Sequence, residues 1–176
     1  MAITVALWAG SFPGFHFPGF VLALGTLLLL ALIWGVCVIV LFVQVLRRRT
    51  SHLKQRFGWL FVAPIAGSLT IAALTFDIPL RTRFMCSRND FEEVVTTIEQ
   101  DPESADSLEG QIGSFSIRTI RRIPDGWLFY EANGAFIDHA GFAYLPLGPT
   151  PYQDTAFESP QYRHLIGPWY AFISSW

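Results

Sequence analysis

Three residues in the second half of the chain have side chains suited to acid–base or metal chemistry: Asp138, His139 and His164. Asp138 and His139 open the turn Asp138-His139-Ala140-Gly141, the kind of place where functional side chains gather. His164 stands in a strand-like stretch whose side chains can reach a shared space. A metal centre takes three or four ligands, so this set would need Cys86 or a further acid to complete one. No His-Glu-x-x-His, Cys-x-x-Cys or Gly-x-Ser-x-Gly occurs in the chain. The set supports a hydrolase or metal enzyme only as an alternative reading, and no cofactor is implied.

Other charged groups suggest less chemistry. Glu92 and Glu93 are adjacent on an expected helix, so they diverge by about 100° and suit its positive end. Asp101, Glu103, Asp106 and Glu109 lie in an expected loop, but their order matches no twelve-residue calcium loop. Arg118, Arg121 and Arg122 stand near Trp127, Phe129 and Tyr130. The expected location outside the cytoplasm argues against a nucleic-acid face. These arginines fit an interaction surface, contact with lipid headgroups or charges guarding a sheet edge. Tyr152, Trp169 and Trp176 extend the aromatic content of that expected surface.

The elements that position these groups follow from a division of charge. The whole chain carries 12 Lys and Arg against 14 Asp and Glu, a near balance that hides two unlike halves. Residues 1–20 contain a doubled Phe-Pro-Gly-Phe around His16 and no Lys or Arg, which suits an interfacial segment. From Val21 to Leu46 there is no Asp, Glu, Lys, Arg or His. At about 1.5 Å rise per residue, that run exceeds the ~30 Å hydrocarbon core of a bilayer. Arg47, Arg48, Arg49, Lys54 and Arg56 make residues 47–56 a basic loop, and residues 57–76 are apolar again. A short cationic loop between two spans favours the cytoplasm, with both ends outside.

Ala31-x-x-x-Gly35 and Ala63-x-x-x-Gly67 place small residues one turn apart, the pattern of close helix packing in lipid. Pro64 predicts a kink in the second span. Ser68, Thr70 and Thr75 are too few for a transport path, so a transporter or channel subunit is a further alternative that needs partners. Cys37 and Cys86 lie in unlike surroundings, so no disulfide joins them.

Residues 77–176 read as an α+β domain outside the cytoplasm. Alternation over Leu80–Cys86 predicts a strand. Ser87 and Asp90 then predict a helix start, with Phe91, Val94, Val95 and Ile98 as its apolar stripe to Gln100. Short strands follow: residues 112–123 with a bulge where the apolar phase shifts, 127–132, 135–138, 142–145, 162–166 and 169–174. Pro124-Asp125-Gly126, Asn133-Gly134 and Gly167-Pro168 supply the turns. The expected architecture is one helix on an antiparallel sheet, attached to a two-helix membrane hairpin.

Gly141-Phe142-Ala143-Tyr144 and the ending Tyr162-Arg163-His164-Leu165-Ile166-Gly167-Pro168-Trp169-Tyr170 resemble the ends of small bacterial two-span membrane proteins with a β-rich C-terminal domain. The likeness covers about the last 40 residues. It implies a bacterial membrane protein and carries no activity. The expected function is a non-enzymatic accessory protein of the cell envelope. Its partners would be the bilayer and another membrane or envelope protein, a lipid headgroup or a wall component.

Overall fold

The computed structural model describes residues 2–14, 17–46, 53–133, 139–149 and 158–175. The chain divides into two compact units. Met1–Ala9 and Pro18–Phe76 form the first, while Gly10–Phe17 and Asp77–Trp176 form the second.

The first unit is helical: α1 (Ala2–Ala9), α2 (Phe17–Leu46) and α3 (Leu53–Thr75). The stretch Val21–Gln44 of α2 is long and apolar enough to cross a membrane, and its most apolar window contains no buried residue. The described apolar stretch of α3 is shorter, Phe61–Thr75, and does not qualify alone. Pro64 lies within α3. The hydroxyls of Thr70 and Thr75 donate back to Ala66 O and Ile71 O of their own helix, at 2.8 and 2.9 Å. Neither hydroxyl therefore offers a polar path through the unit.

The second unit packs one long helix, α4 (Ile78–Gln100), against six strands. The expected strand at Leu80–Cys86 is the beginning of this helix. Leu80 and Phe84 are four apart, a spacing that periods of 2 and 3.6 share. The longer stripe decides: Leu80, Phe84, Ser87, Phe91, Val95 and Ile98 are buried, whereas Thr82 and Cys86 are exposed. Thr82 also donates to Ile78 O one turn back. Ser87 is therefore no N-cap. Asp77 stands at the helix start with φ 53, and Pro79 occupies the first turn, where a missing N–H costs nothing.

After α4, Asp101 accepts from Glu103 N and opens a 3-10 helix over Pro102–Leu108, where the sequence suggests only loop. The strands are β1 (Gly110–Ile112), β2 (Phe115–Ile123), β3 (Gly126–Glu131), β4 (His139–Tyr144), β5 (Glu158–Ile166) and β6 (Trp169–Ser175). Their order in the sheet is β1-β2-β3-β4-β6-β5, and all neighbours are antiparallel. The β2–β3 register shifts between Ile117 and Thr119, where the apolar phase predicts a bulge. The expected strand at 135–138 lies outside the described residues.

Phe84 and Phe91 of α4 carry the main core. Phe91 stands 5.5 Å from Phe129, 5.3 Å from Phe142 and 5.4 Å from Trp169, all edge-on. Rings prefer this geometry over a face-to-face sandwich. Leu128, Tyr130, Ala143, Leu145 and Phe172 form a separate buried cluster. Strands covered on both faces read as continuous apolar runs, which explains Trp-Leu-Phe-Tyr in β3 and Gly-Phe-Ala-Tyr in β4.

Candidate functional site

Among the described residues, His139, His164 and Cys86 are not gathered into one site. His139 begins β4 and lies opposite Ser174, while His164 lies on β5 opposite Tyr170. Those two positions are four residue steps apart on β6, about 13 Å along an extended strand. Each histidine has its own partners. His139 Nδ1 is 3.1 Å from an Arg118 nitrogen, and its ring meets Tyr130 edge-on. His164 Nε2 is 3.0 Å from Gly167 O, and its ring meets Tyr170 edge-on. Cys86 is exposed on α4. Asp138 lies outside the described residues. Among the described residues no three His, Cys, Asp or Glu side chains are placed to hold a metal ion.

The expected interaction residues also separate. Trp169 is fully buried in the core, so it belongs to no surface. Arg121 and Arg122 are exposed on β2, with the Arg122 guanidinium 5.8 Å from the Trp127 ring centre. Beyond its pairing with β1, this strand is supported by Glu109, whose carboxylate accepts from Ile120 N at 3.3 Å. The 3-10 helix lies beside the same strand. A covered, charged edge resists pairing with other chains. Tyr152, Trp176, Arg47, Arg48 and Arg49 lie outside the described residues, as do the side chains of Lys54 and Arg56. Of the small residues, Gly35 and Gly67 have open space where a Cβ would stand, so neither is sealed against a neighbouring helix. Ala31, Ala63 and Gly67 instead line a groove.

The densest polar contacts lie where the sequence signals none. Arg83 of α4 sits between two rings, 4.7 Å from the Phe12 centre and 4.2 Å from that of Phe115. It donates to Ser114 O, to Ser114 Oγ at 3.2 Å and to Ser11 Oγ at 3.1 Å. Arg163 of β5 donates to both carboxylate oxygens of Asp77, at 2.6 and 2.7 Å, and to Pro13 O at 3.0 Å. Two arginines thus strap residues 11–13 to the rest of the second unit. The Ser87 hydroxyl accepts from Ser114 N at 2.9 Å and fixes the turn that Arg83 grips.

Burial lowers the Arg83 pKa from its ordinary value, and the charge of Glu131 opposes that shift. Glu131 is itself buried at the end of β3 and accepts from Asn133 N at 2.7 Å. Burial raises its pKa, while the Asn133 bonds, the charge of Arg83 and a bond from the Ser116 backbone pull the other way. The geometry of these groups is that of a fastening. Its partners lie 72 and 150 residues apart in sequence, beyond the reach of any local pattern.

Comparison with protein-family models, curated proteins and solved structures finds no match to this chain.

Proposed function

We propose that this chain is a membrane-anchored accessory protein of a bacterial cell envelope. Its second unit would lie outside the cytoplasm and bind another protein, a lipid headgroup or a wall component. The unburied apolar window of α2 carries this reading. A core helix of a water-soluble protein hides its apolar side, whereas the most apolar window of α2 hides none of its residues. Such a surface calls for lipid.

The strap supports a second crossing. Residues 11–13 precede α2 and are bound to Arg83 and Arg163, which follow α3. A chain whose flanks touch must begin and end residues 18–76 on one side of a membrane. If α2 crosses, α3 returns. The basic residues 47–56 between them favour the cytoplasm, which leaves both flanks outside. The separation of His139 from His164 favours a binding role over a hydrolytic one.

Cysteine labelling in intact cells tests the arrangement. In a Cys37→Ser chain, an impermeant maleimide should modify Cys86, which is exposed on α4. In a Cys37→Ser, Cys86→Ser chain, His52→Cys should react only after the cells are opened. The reverse pattern would invert the topology, and release of the chain from membranes by alkaline carbonate would remove the anchor altogether.

A further inference from the structure

The first unit contains a groove of about 910 Å³ lined by α1, α2 and α3. Ile3, Leu27, Trp34 and Leu41 supply its bulky walls, and Ala63 and Gly67 its shallow floor. This volume is at the upper end of the ~300–1,000 Å³ range of small-molecule sites, which are also mostly apolar with a few placed polar groups. Gln44 is the strongly polar side chain in the lining, and it stands near the end of α2.

Charge identifies the occupant. Arg47, Arg48, Arg49, Lys54 and Arg56 follow Gln44 closely in sequence, and no Asp or Glu occurs between Leu46 and Phe76. An apolar groove whose lining includes Gln44, followed in sequence by this run of positive charge, complements a molecule with long apolar tails and an anionic head. From Leu27 to Gln44 the helix rises about 25 Å at 1.5 Å per residue. The half nearest Gln44 therefore matches the ~15 Å depth of one leaflet's tails.

We propose that this groove is a binding site for one anionic phospholipid, its tails along Trp34, Leu41 and Gly67 and its headgroup beside Gln44. The proposal rests on the membrane reading above. It adds a defined lipid where that reading requires only a bilayer. The bound lipid replaces contacts that the small residues leave unmade.

Native mass spectrometry tests it. The full chain is released from mixed micelles containing either phosphatidylglycerol or phosphatidylcholine with identical tails. One phosphatidylglycerol per chain should be retained, with a preference of about tenfold over phosphatidylcholine. Gly67→Phe and Ala63→Phe should each abolish that retention by filling the groove. Gly35→Phe adds the same ring outside the lining and should leave retention intact. Replacing Arg47, Arg48 and Arg49 with Gln should remove the preference while keeping lipid bound.

Equal retention of both lipids would overturn the site, as would undiminished phosphatidylglycerol in both groove variants. A two-chain mass lost on Gly67→Phe would also overturn it, by assigning the groove to a second copy. Carbonate extraction of the same chain reports separately on the membrane anchor. An anchored chain without retained lipid sinks this proposal alone.

Discussion

The guanidinium of Arg83 uses its plane and its donors together: two rings cover its faces while Ser114 and Ser11 take its N–H groups. Lysine keeps the charge but has neither the plane nor the fork. Arg83→Lys should therefore destabilise the second unit by about 1–3 kcal/mol, the scale of lost bonds to a charged donor. Denaturant unfolding followed by circular dichroism would read this loss, and no change would show the contacts to be idle. Glu131 makes the opposite case. Its raised pKa means that the folded chain holds the proton more tightly than the unfolded chain does. The ionised form thus costs stability. That cost is absent below the ordinary value of 4.5, grows as pH rises toward the folded pKa, and is complete above it. Glu131→Gln keeps an oxygen for Asn133 N and removes the charge. The variant should melt higher than the parent at neutral pH and level with it at pH 4, whereas a lower melting temperature at both would mean that the carboxylate bonds outweigh burial.

At the scale of elements, the sheet depends on backbones that approach too closely for a side chain. A Cβ on Gly141 in β4 would stand 1.9 Å from Phe129 O of β3 and 3.0 Å from the Phe172 ring. The obstacle is backbone within a paired ladder, so it cannot swing aside. Gly141→Ala should cost about 3 kcal/mol or more and yield an aggregated or unfolded second unit. Gly25→Ala in α2 meets nothing within 4 Å and should be tolerated; equal behaviour of the two variants would refute this packing. The turns at Pro124-Asp125-Gly126 and Gly167-Pro168 are legible in the sequence because a turn is fixed by the residues that form it. The beginning of α4 is less legible, since Leu80 and Phe84 satisfy two periods and only the longer stripe separates them. Trp169 reads as a surface aromatic until the fold places it beneath α4. The strap is not legible at all, because Arg83 and Arg163 meet residues 11–13 only after the chain has folded.

At the scale of the whole molecule, the second unit is not a contiguous piece of sequence. It includes Gly10–Phe17 from beyond α2 and α3. Residues 77–176 made alone would lack the ring of Phe12 over Arg83 and the Pro13 carbonyl at Arg163. That fragment should melt below the intact chain, and a peptide of residues 9–18 added in excess should raise its melting temperature by mass action. A fragment as stable as the full chain, or indifferent to the peptide, would reduce the strap to an incidental contact.

A timetable of synthesis follows from that strap. Residue 13 leaves the ribosome long before its partner Arg163, from which 150 positions separate it. At 5–20 residues per second, the delay is about 8–30 s. Throughout it, the Pro13 carbonyl waits for the Arg163 guanidinium. Translation of β5 closes the gap left at Pro13. A nascent chain stalled before β5 would expose that gap to any chaperone or protease it meets.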